Sequence, residues 1–274
     1  MLLATQEITA KLHINKQQQK TFIFDLDGTI IYDGLPLEAR FERVLHEIEA
    51  AGHQIIFATG RSWRDFLPVL PKWCHQRPSV LFGGGLVIRD DTIRFQHFLA
   101  ENDLTDLVEH LETNRIKYLV DGHAAYYHPP VEHWIYDDIV KISGMAKDPH
   151  VDNIIRDGAY KILVLEDSWL GEFNQFIAAR ELVIKHHVYD KCFDVMPQAV
   201  NKFSGLQYMD LPAAENIFVF GNDGNDLELM QNLPNSVMFG THPELSKYAK
   251  IKINYDDDLF NNFVTVINTI LEKC

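Results

Sequence analysis

A short apolar run that ends in two aspartates and a glycine is the feature of this chain that most constrains its fold. The run covers residues 21–24, and Asp25, Leu26, Asp27 and Gly28 follow it directly. Alternate residues of a strand point to the same face, so Asp25 and Asp27 are expected to project together from a strand end. Open α/β sheets bind ligands at the carboxyl ends of their strands. The segment therefore predicts a ligand site, although a solvated turn after a strand would show the same pair.

Strand-like and helix-like segments alternate along the rest of the chain. The residues from Glu38 to Ala51 carry apolar side chains at the spacing of one helical face. The runs from Gln54 to Ala58 and from Ile217 to Phe220 have the apolar composition of buried strands, and Leu86 to Phe95 is predicted to form a hairpin. Such alternation is typical of a parallel sheet covered by helices, so the sequence predicts an α/β fold.

Residues 98–189 have a different character, with many histidines and aromatic residues. We expect an inserted α+β unit over 98–189, and a core made of residues 1–97 and 190–274. The strand predicted from Ala124 to His128 is expected to place one ring of the Tyr126-Tyr127 pair in the core and the other in solvent. The remaining predicted elements of the insert are helices over 103–113 and 170–179 and strands over 117–120, 160–166 and 182–185.

Charge and composition exclude several classes of function. The formal net charge of −14 argues against general binding to nucleic acid or to an anionic membrane, because those partners require a basic surface. Three widely spaced cysteines indicate neither a disulfide framework nor a zinc site. The sequence has no apolar run of about 18 residues and no secretory signal pattern at its start, so we expect a cytoplasmic protein without a membrane span.

Three further motifs follow the first one in order along the chain. Thr59-Gly60-Arg61 ends the second predicted strand, Lys202 follows the insert, and the segment from Gly221 to Asp226 ends a later strand. Together with the DxDGT segment, these motifs resemble those of the haloacid dehalogenase (HAD) superfamily. The insert lies between the second and third motifs, the position of the C2 type of cap, and the chain looks most like the Cof-type (IIB) branch. The resemblance implies a Rossmann-like core with a parallel sheet and a C2-type cap that sets substrate specificity.

The resemblance also implies roles for individual residues. Asp25 would attack phosphorus to give an aspartyl-phosphate, and Asp27 would act as general acid and then as general base. Thr59 and Lys202 would stabilise charge on the phosphoryl oxygens. The remaining residues of the second motif, Gly60 and Arg61, would contact the substrate.

Magnesium is the cofactor that the resemblance implies. Its ligands would be Asp25, Asp27 through its backbone carbonyl, and Asn222, while Asp226 would bind the metal directly or hold its water shell. Alignment on Gly221 and Asp226 places Asn222 where the family usually has an aspartate. An amide oxygen can still bind Mg²⁺, and Asp223, one place later, remains the alternative ligand.

We therefore predict a Mg²⁺-dependent phosphatase that acts on a small phosphorylated metabolite, such as a sugar or polyol phosphate. A phosphosugar mutase of the same fold is the nearest alternative, and a non-catalytic phosphometabolite-binding protein is a more distant one. The predicted partners are the phosphorylated substrate alone, without nucleic acid or membrane, and the expected state is a monomer or weak homodimer.

Overall fold

The computed structural model describes residues 19–123, 125–142, 146–187, 191–198 and 200–272. These residues form two compact units. The first unit comprises residues 19–58 and 210–272, and the second comprises the described part of Thr59–Met209. The expected domain boundary at 189/190 lies outside the described residues, as does the start of the strand expected from Ala124.

The strands and helices are numbered in chain order. The strands are β1 (Thr21–Phe24), β2 (Gln54–Ala58), β3 (Ser79–Leu81), β4 (Leu86–Arg89), β5 (Thr92–Gln96), β6 (Tyr118–Gly122), β7 (Ala125–Tyr127), β8 (Ala146–Lys147), β9 (Ala159–Val164), β10 (Leu182–His187), β11 (Cys192–Pro197), β12 (Ile217–Gly221), β13 (Asn235–Phe239) and β14 (Ile251–Ile253). The helices are α1 (Ala39–Ala50), α2 (Trp63–Val69), α3 (Glu101–Thr113), α4 (Trp134–Ile142), α5 (Val151–Asp157), α6 (Leu170–Ile177), α7 (Lys202–Leu206), α8 (Leu227–Asn232) and α9 (Leu259–Glu272).

The first unit is built on parallel strands in the order β14-β13-β12-β1-β2. Every residue of β1 is buried, because strands of a covered parallel sheet contact apolar layers on both faces. The rings of Phe24 and Phe220 stack with centroids 4.7 Å apart. On the same face, Phe263 of α9 lies 6.2 Å from Phe24 and 5.3 Å from Phe41 of α1. The buried core thus holds the carboxyl ends of β1 and β12 side by side.

The second unit contains two antiparallel arrangements. Strands β3, β4 and β5 form consecutive hairpins, and a larger sheet has the order β10-β11-β9-β6-β7-β8. The pairs in the larger sheet are antiparallel except β7 with β8. Helices α3 to α6 belong to the same unit, and strand β11 of this sheet lies beyond the insert of residues 98–189 expected from the sequence.

The expectation that one ring of the Tyr126-Tyr127 pair faces solvent is wrong. Both side chains are buried, at 3% and 7% exposure. Tyr127 packs in a cluster with residues of α3, α5 and α6, whereas Tyr126 packs on the opposite face with Tyr136 and Ile139 of α4. Alternation along the strand is present, but both faces of the sheet are covered at this point.

The α/β fold class predicted from the sequence is confirmed. The predicted helix from Glu38 to Ala51 and the strand from Gln54 to Ala58 agree with α1 and β2 to within one residue at each end. In the part of the chain that the structure describes, no helix has the length and apolarity needed to cross a membrane.

Candidate active site

Asp25 and Asn222 each follow the carboxyl end of one of two neighbouring strands. Strands β1 and β12 are in parallel register, with Phe24 opposite Phe220, and the Asp25 N–H donates to the Phe220 carbonyl at 2.9 Å. Because β1 ends at Phe24 and β12 at Gly221, the polar residues that follow them leave the sheet at the same edge. The predicted convergence of the first and fourth motifs is therefore present.

Thr29 lies between the two side chains. Its hydroxyl Oγ1 is 3.3 Å from Asp25 Oδ2 and 3.4 Å from Asn222 Oδ1. Asp25 is only 3% exposed, and Thr29 is fully buried. A threonine hydroxyl has a single proton, so it can donate to only one of these two acceptors. Three oxygen atoms thus converge around one proton, an arrangement that suits an added cation.

The turn after Asp25 places Asp25 and Asp27 in different environments. The Leu26 carbonyl accepts hydrogen bonds from the N–H groups of Thr29, Ile30 and Ile31. Asp27 lies in this turn with its side chain exposed, while the preceding Asp25 is buried. A buried carboxylate and a solvent-facing carboxylate two residues apart are suited to different steps of a reaction.

Gly28 brings the backbone of this turn close to Asn222. Its φ is +74°, a left-handed conformation that side chains rarely adopt. A Cβ atom at Gly28 would lie 2.1 Å from Asn222 Nδ2 and 3.1 Å from Tyr255 Oη. The Gly28 carbonyl accepts a 2.6 Å hydrogen bond from the Tyr255 hydroxyl. Gly28 therefore leaves space for the Asn222 side chain, and its carbonyl accepts the hydrogen bond of the Tyr255 hydroxyl.

Asp226 shapes the loop that carries Asn222. The Asp226 carboxylate is fully buried, and its Oδ2 accepts hydrogen bonds from the backbone N–H groups of Asn222 at 2.9 Å and Asp223 at 3.2 Å. A Cβ atom at Gly221 would lie 2.4 Å from Asp226 Cγ, so the carboxyl group also packs tightly under the strand end. One oxygen of Asp226 thus holds the backbone of the predicted metal loop.

Asp223 points away from this cluster. Its Oδ1 accepts from the Gly224 N–H at 2.6 Å and lies 3.8 Å from His242 Nε2, with 69% of the side chain exposed. The atom that shares Thr29 with Asp25 belongs instead to Asn222. Of the two alternative ligands, Asn222 is the one placed beside Asp25.

The side-chain atoms that meet at Thr29 are oxygen atoms of Asp25 and Asn222. Carboxylate and amide oxygens are hard ligands of the kind that Mg²⁺ prefers. Among the described residues, no three His, Cys, Asp or Glu side chains form a group that could hold a metal. A magnesium ion at Asp25 would accordingly be bound through a mixed set that includes the Asn222 amide, and the oxygen atoms of Asp25 and Asn222 fit that ion.

In the second unit, Thr59 and Arg61 form a tight turn. Thr59 directly follows β2 and is 1% exposed. Its N–H donates to the Val80 carbonyl at 2.9 Å, and its Oγ1 accepts from the Arg61 N–H at 3.1 Å across Gly60. The Arg61 guanidinium donates through Nη1 to the Asp65 carbonyl at 2.9 Å. The Arg61 N–H thus orients the Thr59 hydroxyl, and the Val80 carbonyl holds the Thr59 backbone.

Lys202 is the first residue of α7 and is 1% exposed. Asn201 and Ser204 form a reciprocal capping box at this helix start, with the Ser204 N–H donating to Asn201 Oδ1 at 2.8 Å and the Asn201 N–H donating to Ser204 Oγ at 2.9 Å. Gly84 packs on the backbone of Asn201, and the neighbouring Gly83 donates its N–H to the Thr59 carbonyl at 2.9 Å. The glycine turn after β3 therefore contacts both the Thr59 turn and the start of α7.

Sequence reasoning assigned no role to Thr29 or Tyr255. The signal for Thr29 was present, since the residue belongs to the DxDGT segment. Tyr255 follows the edge strand β14, and a polar aromatic residue just beyond the carboxyl end of a parallel strand is a usable signal. The structure brings both side chains to Asn222.

Comparison with protein families supports the resemblance seen in the motifs. The model of a family described as haloacid dehalogenase-like hydrolase matches residues 22–259. This range includes all four motifs, the whole second unit and most of the first unit.

Curated relatives with named activities are similar over most of their length. A 5-amino-6-(5-phospho-D-ribitylamino)uracil phosphatase of Escherichia coli (strain K12) is 24% identical over 226 residues, which cover 77% of this chain and 82% of the relative. A phosphatase of the same name from Bacillus subtilis (strain 168) is 23% identical over 222 residues, covering 76% and 81%.

Solved structures share the fold. A Thermotoga maritima protein has a TM-score of 0.77 at 18% identity, with 93% of this chain and 97% of that chain covered. A sugar phosphatase described as HAD subclass IIB has a TM-score of 0.73 at 13% identity, with 92% and 100% covered. At these identities the likeness concerns the fold alone.

Proposed function

Because the chain belongs to the haloacid dehalogenase-like hydrolase family and is a phosphatase, we propose that it hydrolyses a small phosphorylated metabolite through an aspartyl-phosphate on Asp25, with Mg²⁺ as cofactor. The observation that carries the proposal is the buried Asp25 carboxylate beside the amide oxygen of Asn222, with Thr29 between them.

The two aspartates of the first motif are proposed to act in succession. An oxygen of Asp25 attacks phosphorus, and the bond from phosphorus to the leaving oxygen breaks. Asp27 donates a proton to that oxygen and then takes a proton from the water that hydrolyses the aspartyl-phosphate. The exposed side chain of Asp27 supports this role, because a group that exchanges protons with water requires access to it.

We propose that Asp25, the Asp27 carbonyl and Asn222 hold Mg²⁺. A bound Mg²⁺ supplies positive charge that offsets repulsion between the carboxylate and the phosphate. Asp226, named as a metal ligand from the sequence, already holds the Asn222 backbone through Oδ2, and this contact supports an added role in positioning that ligand.

Thr59 and Lys202 are proposed, from the family resemblance, to stabilise charge on the phosphoryl oxygens. Gly60 and Arg61 are proposed substrate contacts. We also retain residues 98–189 as the proposed cap that selects the leaving group. The burial of Lys202 supports its proposed role, because a charged lysine is rarely buried without a specific function or partner. Thr59 is buried to the same extent.

Sugar and polyol phosphates are the proposed substrate class. The two curated relatives described above are named for a substrate that carries a phosphorylated ribityl chain, which is a polyol phosphate. That compound and simpler polyol phosphates are therefore the first candidates. A cytoplasmic location and a monomer or weak homodimer remain predictions.

The direct test is phosphate release from a panel of phosphorylated sugars, polyols, nucleotides and cofactors, with Mg²⁺ or with EDTA. We expect metal-dependent release by the wild type and a loss of about 10³-fold or more in Asp25→Asn, because the amide cannot serve as the nucleophile. Release that survives the substitution would contradict the assignment of Asp25. No release from any member, combined with activity that requires a sugar bisphosphate, would instead identify a mutase.

A further inference from the structure

The side chain of Asn222 has two chemically different ends, and only one of them can bind a cation. Amide Oδ1 is an acceptor, whereas Nδ2 is a double donor. A carboxylate at the same position would present an oxygen in either orientation. An asparagine therefore requires a further group that decides which end faces Asp25.

Tyr255 contacts the Nδ2 end of this amide. A Cβ atom at Gly28 would lie 2.1 Å from Asn222 Nδ2 and 3.1 Å from Tyr255 Oη, so the amide nitrogen and the hydroxyl both lie against this glycine. The hydroxyl donates to the Gly28 carbonyl at 2.6 Å and is also a hydrogen-bond partner of the Asn222 side chain. A carbonyl can only accept, so the single phenolic proton is committed to Gly28. The phenol oxygen can then act only as an acceptor toward Asn222, and the amide must present Nδ2 to it.

The opposite end of the amide accordingly faces the nucleophile. Asn222 Oδ1 lies 3.4 Å from Thr29 Oγ1, which is itself 3.3 Å from Asp25 Oδ2.

We propose that Tyr255 is a positioning residue that fixes the amide of Asn222 with Oδ1 toward Asp25, so that an asparagine can serve as a magnesium ligand. The inference rests on the proposed function of this site. In this arrangement Asn222 Nδ2 donates to the Tyr255 oxygen, and the Tyr255 hydroxyl donates to the Gly28 carbonyl.

Electrostatics would favour the reverse orientation if Tyr255 were absent. In the protein without metal, the Asp25 carboxylate attracts a donor, and a rotated amide would offer it Nδ2. Rotation is opposed by Tyr255, since turning Oδ1 toward the phenol would leave two acceptors competing for one proton. Binding of Mg²⁺ to a protein without this hydroxyl would first have to rotate the amide back.

The test is a double-mutant cycle on Mg²⁺ affinity, measured by isothermal titration calorimetry without substrate. Tyr255→Phe is made in the wild type and in Asn222→Asp, whose two carboxylate oxygens remove the need for orientation. We expect Tyr255→Phe to weaken Mg²⁺ binding about threefold to tenfold in the wild type, the worth of one hydrogen bond. In the Asn222→Asp background we expect no weakening.

Tyr248→Phe is the matched control, because Tyr248 is an exposed tyrosine of the same unit at 42% exposure. It should leave Mg²⁺ affinity unchanged. Equal weakening by Tyr255→Phe in both backgrounds would show a general packing role and overturn the inference, as would no weakening in the wild type. Tyr255 is 53% exposed, so loss of its hydroxyl should leave folding intact, as thermal unfolding would verify.

The same titrations separate this inference from the proposed function. If the wild type binds Mg²⁺ and Asp25→Asn abolishes binding, the proposed metal site is supported. The double-mutant cycle of Tyr255→Phe and Asn222→Asp then tests the role of Tyr255 separately. If the wild type does not bind Mg²⁺, the proposed metal site and the inference are both overturned.

Discussion

At the residue scale, Gly28 meets two separate requirements of the site. Its φ of +74° disfavours any side chain, and a Cβ atom there would lie 2.1 Å from Asn222 Nδ2. The left-handed φ would strain the backbone of any other residue at position 28, whereas a Cβ atom there would clash with the Asn222 side chain, which can move. The first requirement concerns stability, and the second concerns the position of the proposed metal ligand.

A comparison of Gly28→Ala with Gly34→Ala separates these effects. Gly34 has a similar φ of +67° and no atom within 4 Å of a Cβ position. We expect both variants to lose about 1 kcal/mol of unfolding free energy from left-handed strain. Only Gly28→Ala should also lose Mg²⁺-dependent phosphate release, by about tenfold or more, because Asn222 is displaced. Equal activities would contradict the role given to Asn222.

At the element scale, the turn between β3 and β4 supports the start of α7. Gly84 has a φ of +118°, and a Cβ atom there would lie 2.2 Å from the Asn201 carbonyl oxygen. That oxygen is backbone and cannot move without shifting the helix start that carries Lys202. The close approach of two backbones explains why position 84 is a glycine.

We predict that Gly84→Ala destabilises the protein by about 3 kcal/mol, combining backbone strain and a backbone clash. Gly83→Ala is the control, because its φ is +61° and its Cβ position meets only Met196 Cε at 3.6 Å. It should cost about 1 kcal/mol. Urea unfolding monitored by circular dichroism measures both values. Similar losses would mean that the contact with Asn201 contributes little.

At the scale of the whole molecule, two buried histidines, His53 and His128, and the partly buried His133 couple stability to pH. Burial lowers the pKa of His53, His128 and His133 below the ordinary value of 6.5, and a nearby lysine lowers the pKa of His53 further. Nδ1 of His53 also accepts a hydrogen bond from the Lys20 N–H at 3.2 Å, which requires it to be unprotonated. These groups bind protons more readily in the unfolded chain.

Stability should therefore decrease as pH falls through 6.5, because the unfolded state then binds more protons than the folded state. The contribution of the neutral histidines to the free energy of unfolding is fully present above pH 6.5. It is lost as the pH falls from 6.5 through the lower pKa values that these histidines have in the folded state. Urea unfolding at pH 7.5 and pH 5.5 measures the effect. His53→Asn, whose Oδ1 can still accept from Lys20, should show a smaller decrease than the wild type.

The control for this experiment is His46→Asn, because the His46 side chain is 53% exposed on α1. It should retain the pH dependence of the wild type. An unchanged pH dependence in His53→Asn would show that His53 does not contribute.

Much of the first unit and of its site could be predicted from the sequence, because the signals are local. The apolar run before Asp25 and the run before Gly221 indicated two buried strands, and each placed polar residues at a strand end. The helix before β2 followed from apolar spacing. The motifs also predicted that Asn222 belongs to the site, but spacing alone left Asn222 and Asp223 as alternatives.

Tertiary structure decided the features that depend on residues distant in sequence. Register and loop closure bring Tyr255 onto Gly28, 227 positions away, and thereby select the orientation of the Asn222 amide. Arg64 and Asp121 form a buried ion pair at 2.9 Å that no local pattern indicates. The burial of both Tyr126 and Tyr127 depends on helices that cover both faces of their sheet. A sequence determines which segments become strands and helices, but packing determines which side chains meet.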